Sequence, residues 1–254
     1  MPYLDCDGVR IAYEEAGNGP AILFTHGYSA TLRMWDPQVA ALSDRYRIIR
    51  WDMRGHGASD SPDDPHAYSH ALTVGDMAAI LDACGVQRAV VGGLSLGGFM
   101  SLAFHLAHPH RVRALMLFDT GPGYKNDDAR AGWNRLAEEY AVAFETRGLD
   151  ALGAGAEVRI APHRSAQGLA HAARGMLAQR DGQVITSLPR IAVPTLLIAG
   201  SEDKPFLAAM DYMAAKIPRA RKVIVEGAGH TPNLERAATF NAAVASFLAD
   251  LEAE

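Results

Sequence analysis

Cysteine is nearly missing: Cys6 and Cys84 are the two in 254 residues. That excludes a disulfide framework, and neither has metal-ligand spacing to a second cysteine or a histidine. No apolar run approaches the roughly 18 residues of a membrane-spanning helix. The first residues, MPYLDCDGVR, have neither a basic n-region nor an apolar h-region, so no secretory leader is read there. An excess of either charge is missing too, since 24 Lys and Arg stand against 29 Asp and Glu, a net charge of −5. That balance gives no electrostatic case for nucleic acid or an anionic membrane as partner. Internal repeats and low-complexity tracts are absent. What remains, 49% hydrophobic and 21% charged, suits a soluble globular chain with a sizeable core. A cytoplasmic setting is the expectation.

Short apolar runs bounded by turn residues recur along the chain. Val9–Glu14, Ala21–Thr25, Arg47–Trp51, Ala89–Gly92, Ala114–Phe118, Thr195–Ala199 and Lys222–Val225 read as strands, most of them buried on both faces. Helical patterns lie between them. They are Leu32–Ser43, Thr73–Cys84 before Gly85, Leu96–His108 before Pro109, Phe206–Lys216, and Pro232–Leu251 with Thr231 as N-cap. Strands alternating with helices give an α/β fold with a parallel sheet. From Tyr124 to Leu188 the alternation stops and only helical patterns remain, chiefly Asp128–Arg147 and Ser165–Arg180. Such an insertion reads as a lid over the C-terminal edge of the sheet, where open α/β sheets bind ligands.

Gly93-Leu94-Ser95-Leu96-Gly97 follows a strand and opens a helix. A serine on so sharp a turn projects its hydroxyl and has the free N–H groups of a helix start beneath it. Ser95 is therefore the candidate nucleophile. His230 lies on the Gly-rich loop Glu226–Pro232 after the last strand, from which a ring can swing over the sheet edge. It suits a base that takes the serine proton and returns it to the leaving group. Asp203, in Ala199–Pro205 after another strand, is the candidate acid that orients the base. Asp119 ends the strand beside the nucleophile strand and is a rival, as is the adjacent Glu202. For an oxyanion hole, the backbone N–H groups of Leu96 and of Tyr28 in His26-Gly27-Tyr28 are the candidates.

Other conspicuous residues read as structural. His26 fixes its loop by bonding backbone. Asp52–Asp60 matches neither a P-loop nor a dinucleotide fingerprint and reads as a tight loop with an internal ion pair. His105, His108 and His110 crowd a helix end, where an imidazolium would complement the dipole. His66 and His70 could pair on a helix, but no acidic ligand spacing supports a metal. No metal and no organic cofactor is expected. Trp133, Tyr140, Phe144 and Met176 either line an acyl pocket or pack the lid onto the body.

Taken in order, His26-Gly27-Tyr28, Trp35-Asp36, Asp52-Met53-Arg54-Gly55-His56-Gly57, Gly93–Gly98, Gly200–Asp203 and Gly229-His230 make the whole chain resemble compact bacterial α/β-hydrolases. Met34–Asp60 is similar to small aryl and carboxyl esterases and to 3-oxoadipate enol-lactonases. The resemblance implies an eight-stranded, mostly parallel sheet with a helical cap after strand 6. The expected organisation is a core of residues 1–123 and 189–254 with a cap of residues 124–188. The expected activity is hydrolysis of small carboxylic esters or lactones through Ser95, His230 and Asp203. Haloalkane dehalogenases and epoxide hydrolases of this fold carry aspartate where Ser95 stands. Hydrolases of ring-cleavage C–C bonds usually have a Gly-rich loop that Tyr28-Ser29-Ala30 departs from. Cofactor-free perhydrolases share the triad. Outside enzymes, some proteins of this fold are small-molecule receptors.

Overall fold

The computed structural model describes residues 1–253. Eight strands form one sheet: β1 (Tyr3–Cys6), β2 (Val9–Ala16), β3 (Ala21–Thr25), β4 (Arg47–Trp51), β5 (Ala89–Leu94), β6 (Val112–Phe118), β7 (Thr195–Gly200) and β8 (Ala220–Val225). Their spatial order is β1-β2-β4-β3-β5-β6-β7-β8. The pairings β1–β2 and β2–β4 are antiparallel, and every pairing from β4 to β8 is parallel. The helices are α1 (Asp36–Leu42), α2 (His70–Ala83), α3 (Leu96–Ala107), α4 (Asp127–Arg147), α5 (Ala156–Arg159), α6 (Ala166–Ala172), α7 (Gln183–Ser187), α8 (Lys204–Lys216), α9 (Pro232–Glu235) and α10 (Ala237–Ala253).

The apolar runs of the strands follow from their burial on both faces. Successive side chains of a strand point to opposite sides. In β6, Ala114, Met116 and Phe118 join one core, while Leu115 and Leu117 join the other. In β7, Leu196 and Ile198 divide from Leu197 and Ala199 in the same way. Each fully buried Leu or Ile contributes about 1.5–3 kcal/mol, so two cores fix the register firmly. A one-residue slip of β7 would exchange its sets between the two faces.

Four sequence expectations change. β1 is a further strand: Tyr3–Cys6 pairs with Val9–Ala12 through the tight turn at Asp7 and Gly8, both at positive φ. Its side chains are mostly exposed, so it lacks the apolar signature. Leu32–Ser43 starts as a tighter 3₁₀ turn, Leu32–Trp35, because Pro37 has no N–H for a continuous ladder. Ser165–Arg180 is α6 followed by a wide π-helical turn, Ala173–Leu177. Pro232–Leu251 breaks at Arg236 (φ −136°, ψ 48°) into α9 and α10. The Glu235 carboxylate there folds back to accept from Gly229 N–H (2.8 Å), Thr231 N–H (3.0 Å) and the Thr231 hydroxyl (2.9 Å). The Thr231 hydroxyl therefore donates to Glu235 and does not cap the helix.

The ion pair expected inside Asp52–Asp60 is also replaced. Asp52 accepts from Leu32 N–H (2.7 Å) and Ala58 N–H (2.8 Å) and is filled by backbone. Arg54 leaves the loop for Asp76 on α2, through Nε to Oδ2 (2.6 Å) and Nη2 to Oδ1 (2.8 Å). Asp60 pairs with Arg10 (2.9 Å). At the end of α3, burial lowers the proton affinity of His105 and His108, so they are not imidazoliums serving the helix dipole. His66 lies in a separate short turn before α2, so it forms no helical pair with His70.

Between β6 and β7 the described structure is helical. α4 and α6 share a small core of their own: Ala141, Phe144, Leu169, Ala170 and Ala173. Among the described residues, no helix is long and apolar enough to cross a membrane.

Candidate active site

Ser95 sits on the turn from β5 into α3 at φ 54°, ψ −116°. An L-residue held at such a conformation stores on the order of 1–3 kcal/mol of strain, which the surroundings must fix. They do so through three bonds. Ser95 N–H donates to Phe118 O (2.9 Å), and Ser95 O accepts from Phe99 N–H (3.1 Å) and from the Thr120 hydroxyl (2.6 Å). Close backbone packing explains the flanking glycines. A Cβ on Gly97 would lie 2.1 Å from Thr25 O, and one on Gly27 would lie 3.6 Å from Ser95 Cβ. The loop after β3 therefore rests against the serine turn. Tyr28 follows in that loop, and Leu96 is the first residue of α3.

His26 stiffens this loop. Its Nε2 accepts from Met53 N–H (3.0 Å), which leaves Nδ1 as the donor to Gly27 O (2.7 Å). Burial pushes its pKa down to about 3, so the ring stays neutral and keeps both bonds. Tyr28 is tied from above, its hydroxyl donating to Leu169 O of α6 (2.8 Å).

His230 and Asp203 are brought together. His230 Nδ1 bonds Asp203 Oδ2 at 2.6 Å. Asp203 is buried at the start of α8, while His230 is half-buried on the loop after β8. Glu202 is exposed. No hydrogen bond joins the Ser95 hydroxyl to His230 among the described residues; such bonds often tighten only when substrate binds. The Phe206 ring packs on the His230 ring with centroids 4.9 Å apart, and Phe206 and Ser95 line the same cavity.

Asp119 is fully buried just after β6 and held at φ 40°. Its Oδ1 accepts from Gly200 N–H at 2.9 Å. Oxygens of Asp119 and Asp203 and a ring nitrogen of His230 lie within 4.8 Å of one another. One histidine and two carboxyls could in principle ligate a cation. Each already has a partner within the fold: Gly200 N–H holds Asp119 Oδ1, and the imidazole holds Asp203 Oδ2. Burial, reinforced by the neighbouring Asp203, raises the Asp119 pKa far above the usual carboxylate range. Asp119 is thus a neutral acid beside Asp203.

The cavity at Ser95 has about 140 Å³ of room and is partly open to solvent. Leu96, Phe99, Trp133, Leu177, Phe206 and Ala209 give it apolar walls. Of the four lid residues considered from sequence, Trp133 lines it. Phe144 and Met176 are core residues, and Tyr140 packs on the Tyr28 ring at 5.9 Å. The sequence reading passes over Gln179 and Phe206. Phe206 had a usable signal, its place on the first turn of α8 just after Asp203; Gln179 had none.

Residues 20–167 match the family model described as alpha/beta hydrolase fold. A Bacillus subtilis protein provisionally named 2-succinyl-6-hydroxy-2,4-cyclohexadiene-1-carboxylate synthase is 31% identical over 96% of this chain and 97% of its own. A 3-oxoadipate enol-lactonase of Acinetobacter baylyi is 30% identical over 92% of this chain and 91% of its own. The solved structure of a thermophilic esterase from Thermogutta terrifontis superposes with a TM-score of 0.83 at 25% identity, covering 99% of both chains. The sheet order, the strained serine turn and these matches agree: the chain belongs to the α/β-hydrolase fold family.

Proposed function

We propose that this protein hydrolyses small carboxylic esters or lactones through an acyl-enzyme on Ser95. The observation that carries this reading is the 2.6 Å bond from His230 to a buried Asp203, with Phe206 linking the His230 ring to the cavity of Ser95. The bond to Asp203 holds the imidazole with its proton on Nδ1, so Nε2 is free to accept the serine proton. Ser95 Oγ attacks the acyl carbon while that proton passes to His230. The carbonyl oxygen becomes an oxyanion, held by the N–H groups of Tyr28 and Leu96. His230 then protonates the departing alcohol. Water, giving up a proton to His230, attacks the acyl-enzyme, and the acid leaves as Ser95 recovers its proton. In a lactone the alcohol and acyl parts belong to one molecule, and the same steps open the ring.

Residues 124–188 act in this reading as a cap on a core made of residues 1–123 and 189–254. The substrate is a small molecule, and neither a metal nor an organic cofactor takes part. A cytoplasmic setting belongs to the same reading and rests on two buried, unpaired thiols, Cys6 and Cys84. The relatives named as enol-lactonase and esterase support the bond type. The test is turnover of p-nitrophenyl butyrate. Ser95→Ala should lower kcat by a factor on the order of 10³–10⁶ with the fold intact. Near-full turnover by that variant would remove Ser95 from the mechanism.

A further inference from the structure

The cavity beside Ser95 contains a polar side chain whose direction the fold fixes. Gln179 lines that cavity and is 8% exposed. Its backbone is clamped to α4 by Asn134. Gln179 N–H donates to Asn134 Oδ1 (2.7 Å), and Asn134 Nδ2 donates to Gln179 O (2.8 Å). The side-chain oxygen is used as well, since Gln179 Oε1 accepts from Tyr124 N–H at 3.2 Å. A carboxamide with its oxygen held this way has its NH₂ group left to donate. Among the described residues, no acceptor takes a hydrogen from Nε2.

Other polar groups of the lining are spent or wet. The Thr120 hydroxyl donates to Ser95 O (2.6 Å), and Trp133 Nε1 donates to Leu177 O (2.8 Å). Tyr124 is 37% exposed. Lys125 and Lys204 adjoin the lining in the chain but are exposed and outside it. The walls thus combine apolar surface with a fixed amide donor and no cation among the described residues.

On the footing of the serine-hydrolase reading, we propose that Gln179 is a specificity-determining residue. It selects neutral acyl groups that carry a hydrogen-bond acceptor, such as a ketone or ether oxygen, over plain alkyl groups. The same walls reject acyl groups that end in a free carboxylate. A buried donor covered by an alkyl chain loses its water and gains nothing in return, whereas an acceptor on the chain restores the bond. A carboxylate must shed far more hydration, and a lone neutral donor does not repay that loss without a cation. The substrate class therefore departs from the oxoadipate and cyclohexadiene-carboxylate chemistry for which two relatives are named.

The experiment compares kcat/KM for p-nitrophenyl hexanoate, its analogues with one ketone oxygen placed along the chain, and the mono-p-nitrophenyl ester of glutaric acid. Wild type should prefer at least one ketone analogue to hexanoate by about 10-fold or more, and hexanoate to the glutarate by a similar factor. In Gln179→Met, which removes the donor at similar volume, the ketone preference should collapse to about 2-fold or less. A ratio between substrates cancels any general loss from loosening the Tyr124 loop. Turnover of hexanoate without a ketone preference, survival of that preference in Gln179→Met, or glutarate turned over as well as hexanoate would each overturn the role of Gln179. Failure of wild type to turn over any ester would overturn the serine-hydrolase reading, and this inference with it.

Discussion

Asp119 and Asp203 close the ends of neighbouring strands, and their carboxyl groups meet within 4.8 Å beside a ring nitrogen of His230. Two charges so close in a buried site are not both tolerated, and one carboxyl keeps its proton. The bonds decide which. Asp203 faces the imidazole at 2.6 Å, while Asp119 is fully buried with Oδ1 on Gly200 N–H. Asp119 is the neutral one, and Asp203 is the one that holds the imidazole. Asp203→Asn should place the wrong tautomer on His230 and cost roughly 10³–10⁴ in kcat. Asp119→Asn keeps a neutral hydrogen-bonding group of the same shape and should cost about 10-fold or less, on the same tautomer logic. Steady-state kinetics on a p-nitrophenyl ester decide between them. A greater loss in Asp119→Asn would exchange the two roles.

The neutral state of Asp119 also sets a stability trend. Its folded pKa is raised above the unfolded value near 3.9, so the folded state binds the proton more tightly. That contribution is complete below the unfolded pKa and is lost as pH rises toward the folded one. Asp119→Asn removes the linkage. The Tm of the variant minus that of wild type should therefore grow from pH 5 to pH 9. Asp52, whose pKa burial pushes up to about 6, follows the same sign but is common to both proteins and cancels. A difference in Tm that stays flat or falls with pH would show that Asp119 is ionised in the fold.

Legibility in the sequence followed local chemistry. That Ser95, Asp203 and His230 fall along one edge was readable because each follows a strand, and a parallel sheet gathers such ends along one edge. β6 and β7 were readable because burial on both faces leaves an unbroken apolar run. β1 was not, since its side chains are largely exposed and its pairing to β2 rests on backbone bonds and a turn. The partner of Arg54 was also hidden. A buried guanidinium needs a buried carboxylate, but Asp76 on α2 looks like any helical aspartate until the helix is docked. Gln179 was silent for a related reason: its role depends on Tyr124 and Asn134 closing on it from elsewhere in the chain.

The Arg54–Asp76 pair should be costly to break from one side. Both side chains are almost fully buried, and Arg54 also donates to Cys6 O (3.3 Å) and Ala67 O (3.3 Å). Asp76→Ala leaves a guanidinium in a low-dielectric site and should destabilise by about 3–5 kcal/mol in urea unfolding. Replacing both partners with apolar residues, Arg54→Met with Asp76→Leu, should cost less than the single change. A double variant less stable than Asp76→Ala would show that the pair stabilises beyond satisfying its own charges.

Metal dependence has a sharp test because Asp119, Asp203 and His230 stand close enough to hold an ion. If they act without an ion, dialysis against EDTA leaves kcat unchanged. Added zinc should then inhibit, since a bound ion competes with the proton on His230 and draws Asp203 from it. Loss of activity on chelation, restored by zinc or another divalent ion, would replace the triad reading with a metal site.

Acyl length should be limited by the helices that follow β6. The cavity at Ser95 has about 140 Å³ of room and is walled by Trp133 of α4 and by Leu177 and Gln179 beyond α6. That is small beside an ordinary small-molecule pocket, and it suits short or cyclic acyl groups. Closing it over a longer chain would require α4 and α6 to part, against their shared core of Ala141, Phe144, Leu169, Ala170 and Ala173 and the bond from Tyr28 to Leu169. The outer side of α4 carries exposed Leu136, Tyr140 and Val142, which could suggest a lipid-seeking face. Arg135, Glu138 and Glu139 interrupt it, and Glu138 is held in an ion pair with Arg174 (2.7 Å). A face broken by charges in this way does not seat in a lipid surface as a continuous apolar stripe would. Measured as kcat/KM, p-nitrophenyl acetate, butyrate and hexanoate should therefore exceed the palmitate by about 10-fold or more, the scale on which a pocket discriminates by size. Activity on tributyrin should show no jump as the substrate passes from solution into emulsion. A preference for palmitate, or a jump at the interface, would mean that the helices after β6 open readily and that the protein acts on lipid.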